Sequence, residues 1–249
     1  MWSFLLQTNT RIETQPHVYT EIVSSPLSNE IKAGCLRKIK VDLPRSMPGH
    51  PILKSEEGQK ALAQVLMAFA TRDSELQYCQ GLNFLVAELL CNLSEEEAFW
   101  GLIQLLTSTR FNLRSFFTKD VPLLRQSLRR FQEAIEETMP DLAEHLEAQN
   151  VPVTCFAPTW LHTVFVGADS MPKDILDHIW DCFLIDGPDF VFSCSLACLR
   201  LLKDSILTAE CEEIMRITHF DSWDRSLGGL LIDTSLHILL RHRSDNGWS

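Results

Sequence analysis

Two short stretches of the chain set side chains capable of chemistry at fixed spacing. Ile39-Lys40-Val41-Asp42-Leu43-Pro44-Arg45 fits Ile-x-x-Asp-x-x-Arg, and Tyr78-Cys79-Gln80-Gly81 fits Tyr-x-Gln-Gly. A guanidinium is planar, always charged, and able to bridge phosphate oxygens with several donors. A glutamine amide accepts from one group while donating to another, so it can hold a water in line. Asp42 lies one helical turn before Arg45, the spacing at which a carboxylate orients a guanidinium. Taken singly, a surface arginine or glutamine is ordinarily just solvated, and each short pattern is weak. Other candidates are poorer still. Cys194 and Cys198 are one turn apart and could serve a metal, but they sit among apolar residues and read as buried small hydrophobes. The cysteines form no Cys-x-x-Cys pair and the histidines have no metal spacing. No phosphate-cradling Gly-rich loop, His-Glu-x-x-His or Gly-x-Ser-x-Gly occurs, so the chain shows no means of binding a nucleotide by itself.

The elements that must position these residues read as helices. The chain has 249 residues, 45% apolar and 22% charged, which is ample for a sizeable core. Ten glycines is a lean share and favours helices over an all-β fold. Ser55 with Glu56 and Glu57 caps a helix running through Phe69, and another follows Gly81. Ser94-Glu95-Glu96-Glu97 is a capping box before Ala98, Phe99 and Ile103. Asp120 with Pro122 opens an amphipathic helix to Ile135, and Pro140 a short one toward Leu146. Pro158 precedes an apolar stretch through Phe165; Pro172 opens a helix stopped at Asp186-Gly187-Pro188. Further helical stretches cover 190–207 and 227–242. Before residue 50 the periodicity is weak and Pro16, Pro26, Pro44 and Pro48 interrupt it. No clean period-2 run appears, so strands are few or absent. The expectation is one all-α domain over 31–242, a looser segment at 1–30 and a tail at 243–249.

Charge and cysteine usage narrow the class. A net charge of −11 repels phosphate backbones and anionic lipid, excluding a general nucleic-acid or membrane binder. No run is long and apolar enough for a transmembrane helix, and the apolar cluster Met1–Leu6 lacks the basic start of a secretory signal. With dispersed cysteines, this points to the reducing cytosol. The charge is uneven: Lys32, Arg37, Lys38, Lys40, Arg45 and Lys54 face a single acid, Asp42, within that stretch. A second basic stretch runs from Arg110 to Arg130. Such segments suit a partner with focused negative charge, although a solvated helix face gives the same pattern.

With both motifs in view, the chain resembles the TBC domain, the helical module of GTPase-activating proteins for Rab-type small GTPases. The two patterns occur in family order and at a family-like separation, a coincidence on the order of one in a thousand at ordinary residue frequencies. Ser46-Met47-Pro48-Gly49-His50-Pro51 is similar to the run that follows the motif arginine in the family, with Ser46 where Thr is usual. Trp160-Leu161-x-x-x-Phe165 and Ile179-Trp180-Asp181-x-Phe183 with Gly187 resemble two further family segments, so the likeness spans residues 31–207. Of the family's longer lead-in helix, only Trp2-x-x-Leu5-Leu6 matches the tail. The resemblance therefore implies that residues 1–30 are an arm or a remnant of that helix, in a domain lacking its first helix.

The resemblance also implies roles. Arg45 is the arginine finger and Gln80 replaces the GTPase's own glutamine. Asp42 holds Arg45, Tyr78 anchors its loop, Gly81 lets the backbone turn into the next helix, and Ile39 lies in the core. Trp160 and Trp180 read as core anchors, and His50 with Pro51 either as shaping the loop after the finger or as a plain surface histidine. On this reading the chain is not itself an enzyme but activates a GTP-bound Rab in vesicle trafficking. It carries no cofactor or metal, since GTP and magnesium belong to the partner. It is cytoplasmic and intracellular, makes no nucleic-acid contact, and reaches endomembranes only peripherally, through the Rab. The alternative is a catalytically silent TBC-fold adaptor that binds a GTPase or another protein without stimulating hydrolysis.

Overall fold

The computed structural model describes residues 1–25, 30–118, 121–168, 170–221 and 223–244, with side chains from residue 34 onward in the second stretch. Pro26, the Lys32 side chain, Asp120 as a helix start, and the tail from residue 245 lie outside the described residues. Among the described residues all regular structure is helical. The chain divides into two compact units, Met1–Asp120 and Val121–Ser249.

The first unit holds α1 (Trp2–Leu5), α2 (Thr8–Thr14), α3 (Val18–Ser24), α4 (Glu30–Asp42), α5 (Pro51–Lys54), α6 (Glu56–Arg72), α7 (Leu82–Asn92) and α8 (Glu95–Thr107). Two 3-10 turns, Leu43–Arg45 and Leu113–Phe116, complete it. α6 is its axis: α3, α4, α5, α7 and α8 all pack on it. It begins where expected, with the Ser55 hydroxyl accepting from the Gly58 amide at 3.0 Å. Gly58 is where α5 and α6 meet, since a Cβ there would lie 2.0 Å from the Ile52 carbonyl oxygen. The capping box of α8 also forms, the Ser94 amide donating to Glu97 at 3.0 Å and its hydroxyl at 2.6 Å.

The segment before residue 25 is more ordered than its pattern suggests. α1 and α2 are four and seven residues long, too short to show a period. They are separated from each other and from α3 by left-handed backbone at Gln7 (φ 53°) and His17 (φ 69°). Trp2, Leu6 and Tyr19 are nevertheless buried, α2 packing on α8 and α3 on α6. The Ser3 hydroxyl donates to Glu97 at 2.7 Å and the Tyr19 hydroxyl to Glu95.

The second unit holds α9 (Pro122–Thr138), α10 (Pro140–Ala148), α11 (Ala157–His162), α12 (Lys173–Asp186), α13 (Pro188–Leu207), α14 (Cys211–Thr218) and α15 (Leu227–Ser244). α13 is apolar nearly all round and is the helix on which α9, α10, α11, α12, α14 and α15 pack. Cys194 and Cys198 lie wholly inside it, and burial pushes the Cys198 thiol well up. The helix after Pro158 stops sooner than its apolar pattern implies, because Val164 and Phe165 turn left-handed at φ 51° and 64°. That reversal lays Phe165 against Trp160 with ring centroids 5.5 Å apart. Both tryptophans are buried, Trp160 donating to the Thr218 carbonyl at 3.2 Å and Trp180 to that of Val164 at 3.1 Å.

Candidate functional site

The arginine motif sits where α4 ends. Ile39, fully buried, and Asp42 lie on the inner face of α4, whereas Arg37, Lys38, Lys40 and Val41 are exposed. Pro44 has no amide hydrogen to continue the helix, so the chain tightens into the 3-10 turn that carries Arg45. Within it Arg45 Nη2 donates to Asp42 Oδ1 at 2.5 Å. The carboxylate is nearly sealed, at 6% side-chain exposure, while the guanidinium stands 48% exposed. The spacing of three residues thus produces the ion pair expected of it. One guanidinium nitrogen is committed and the rest remain available.

The glutamine motif sits on the loop between α6 and α7. Gln80 is exposed, whereas Tyr78 beside it is buried. The Tyr78 hydroxyl donates to Asp42 Oδ2, the oxygen that Arg45 leaves open. Burial and that carboxylate both raise the phenol beyond its ordinary range, so it stays a donor at any working pH. Gly81, at φ 105°, makes the turn into α7 in a backbone region closed to other residues. Its amide donates to Asn83 Oδ1 at 3.0 Å. Asn83 Nδ2 in turn donates to the Ser46 hydroxyl at 2.8 Å, and that hydroxyl donates to the Asp42 carbonyl at 2.8 Å.

These bonds form a closed buried network through Asp42, Tyr78, Gly81, Asn83 and Ser46. It joins the segment bearing Arg45 to the loop bearing Gln80. Asp42, Tyr78, Ser46 and Asn83 are all buried, and a fully satisfied buried network of this kind rigidifies what it holds. Asp42, Tyr78 and Gly81 are in the network, Arg45 and Gln80 are presented beside it, and Ile39 is buried one turn earlier on α4. Ser46 keeps the hydroxyl that a threonine would supply, so this departure from the family run leaves the bonding intact. Asn83 lies outside both motifs; its signal in the sequence is an asparagine two residues after a turn glycine, at the head of a largely apolar helix. His50 is the residue at which α5 begins, its side chain making no capping bond there, with Nδ1 3.4 Å from Cys91 Sγ.

The sequence profile of the Rab-GTPase-TBC domain matches residues 1–207. The chain belongs to the Rab-GTPase-TBC domain family. The match takes in residues 1–30 and ends before α14 and α15. Similar relatives of this TBC chain include the human protein named TBC1 domain family member 2B, 34% identical over 212 residues, covering 83% of this chain and 21% of that protein. The Caenorhabditis elegans protein named Rab GTPase-activating protein eat-17 is 34% identical over 179 residues, 72% of this chain and 20% of that one. The TBC chain therefore spans about a fifth of the length of these curated relatives. Its fold is shared with the crystal structure of the Chlamydomonas flagellar RabGAP TBC domain, at a TM-score of 0.78 and 23% identity, covering 95% of this chain and 78% of that one. It is shared too with the Ypt/Rab-GAP domain of Gyp1p, at a TM-score of 0.74 and 16% identity over 96% and 87% of the two chains.

Proposed function

We propose that this TBC chain accelerates GTP hydrolysis on a Rab-family GTPase by supplying Arg45 and Gln80 in trans. The observation that carries the reading is the shared buried network: it presents an exposed guanidinium and an exposed amide from two separate segments on one rigid support. The name of the Caenorhabditis elegans relative, a Rab GTPase-activating protein, supports the same class. Cleavage of a γ-phosphate passes through a loose, in-line transition state with charge spread over phosphoryl oxygens, so catalysis is largely positioning and electrostatic stabilisation. Arg45 bridges those oxygens with the donors that Asp42 leaves unused, and Gln80 holds the attacking water against the γ-phosphate. GTP and magnesium come with the partner. The reaction takes place wherever the GTP-bound Rab sits, on the cytoplasmic face of endomembranes during vesicle trafficking.

Phosphate release from a panel of GTP-loaded Rabs tests this. An arginine supplied in trans is worth about 10³–10⁵ in rate, roughly 4–7 kcal/mol of barrier. Arg45→Ala and Gln80→Ala are each expected to cut stimulated hydrolysis by orders of magnitude with unchanged circular dichroism; Gln80→Ala should keep the melting temperature, and Arg45→Ala should lower it only by the few degrees that the loss of a donor to Asp42 costs. Rab binding with no rate increase by the wild-type chain, and no effect of Arg45→Ala, would instead establish the adaptor.

A further inference from the structure

Arg114 stands outside both motifs, on the 3-10 turn Leu113–Phe116 that packs on α8. Its guanidinium grips Asp73, the residue that ends α6 and begins the Gln80 loop, with both terminal nitrogens. The same Nη2 donates to Glu75 Oε2 at 2.8 Å. Asp73 passes the constraint along the loop: its Oδ1 accepts the Leu76 amide at 2.9 Å and its carbonyl the Gln77 amide at 2.8 Å. Gln77 then turns left-handed at φ 55°, immediately before Tyr78. A weaker contact runs from Cys79, the neighbour of Gln80, whose single thiol proton faces both the Leu76 carbonyl at 3.5 Å and the Phe117 carbonyl at 3.6 Å. One short segment, 113–117, thus holds the glutamine loop at its root and touches it next to its tip.

The ion pair is partly buried and bidentate, at the side of a cleft. Arg114 and Asp73 keep 24% and 18% side-chain exposure and line an open cleft of about 550 Å³. A bidentate, partly buried pair of this kind adds to stability as well as to geometry, so a positioning role is read from loop exchange and kcat rather than from the melting temperature alone. Burial works against the Asp73 carboxylate, yet the Arg114 and Leu76 hydrogen bonds hold it below its ordinary range, so the pair stays ionised at neutral pH. A bidentate guanidinium–carboxylate pair fixes direction as well as distance, and direction is what an amide orienting a water requires.

We infer that Arg114 is a positioning residue for Gln80, its clamp on Asp73 and Glu75 setting the pose of the glutamine loop. This rests on the GTPase-activating reading, and two measurements separate the fates of the two ideas. The first is amide hydrogen exchange on the full chain, alone. Arg114→Ala is expected to speed exchange across 76–81 at least severalfold, leaving 42–46 unchanged and the melting temperature within a few degrees. The second is stimulated hydrolysis with the responsive Rab. Arg114→Ala is expected to lower kcat about tenfold with KM within twofold. Arg114→Lys, which keeps the charge but loses the fork, should recover only part of it. Combining Arg114→Ala with Gln80→Ala should cost no more than Gln80→Ala alone, because both act through one group. Unchanged exchange at 76–81 overturns the clamp whether or not any Rab responds. So does wild-type kcat in Arg114→Ala, or a loss that multiplies fully with that of Gln80→Ala. A wild-type chain inert toward the whole panel, with exchange altered as expected, removes the activating function while leaving the clamp.

Discussion

Tyr78 carries one hydroxyl on which two exposed side chains depend. Its proton goes to Asp42 Oδ2, and Asp42 Oδ1 goes to Arg45, so the phenol and the guanidinium complete the solvation of one buried carboxylate. Removing the hydroxyl leaves that oxygen buried without its donor, a loss of about 1–3 kcal/mol. Tyr78→Phe should therefore lower the unfolding free energy from a urea titration by that amount and reduce stimulated hydrolysis more than stability alone explains. Ser46→Thr keeps the bridging hydroxyl and should be near neutral in the same titration. Half of this arrangement was legible in the sequence. Asp42 and Arg45 are three residues apart, and one helical turn brings them together whatever else the chain does. Asp42 and Tyr78 are 36 apart and Ser46 and Asn83 are 37 apart, and no local rule pairs them.

At the scale of elements, the site depends on how closely the helices around α6 approach. Gly58 in the first turn of α6 touches the end of α5, and the carbonyl of Ile52 occupies the space a methyl would need. That obstacle is backbone and cannot swing aside. Gly58→Ala should cost about 1–3 kcal/mol, as over-packing at a tight contact does, read as a lowered midpoint of thermal unfolding. The strong helices, α6 to α9, α12, α13 and α15, were legible because their apolar positions repeat over about three turns or more, and the starts of α6, α8, α9, α12 and α13 carry a cap or proline. α1 to α3 were not. Their seven residues or fewer hold too few turns for a period, and tertiary contact with α6 and α8 stabilises them instead.

For the molecule as a whole, a net charge of −11 coexists with a basic outer face on α4. Arg37, Lys38 and Lys40 are exposed there, and Lys38 is close enough to bear electrostatically on Cys79, next to Gln80. On the proposed function, a local positive field within an acidic protein would steer the phosphates of a nucleotide-loaded partner toward Arg45. Steering is screened by salt, with a Debye length of about 8 Å at physiological ionic strength. Stimulated kcat/KM should therefore fall severalfold between low and moderate salt. The Arg37→Glu/Lys38→Glu/Lys40→Glu variant should lower kcat/KM at low salt and flatten that dependence while kcat at saturation holds. A kcat/KM indifferent to both salt and charge reversal would show that α4 plays no part in capture.

The sequence by itself determined helical class and family, and singled out two side chains, Arg45 and Gln80, that the fold leaves exposed. Those follow from residue type and from spacings of a few positions, which a single helical turn converts into geometry. Only the tertiary structure decided what holds the two side chains in place. Asn83 on Ser46, Tyr78 on Asp42 and Arg114 on Asp73 are contacts across 37, 36 and 41 residues. They exist because α4, α7 and the segment after α8 are brought around α6 by burial of their apolar faces. Hydrophobic burial is not directional, so the pattern of apolar residues says that these elements pack but not which polar groups end up opposite one another.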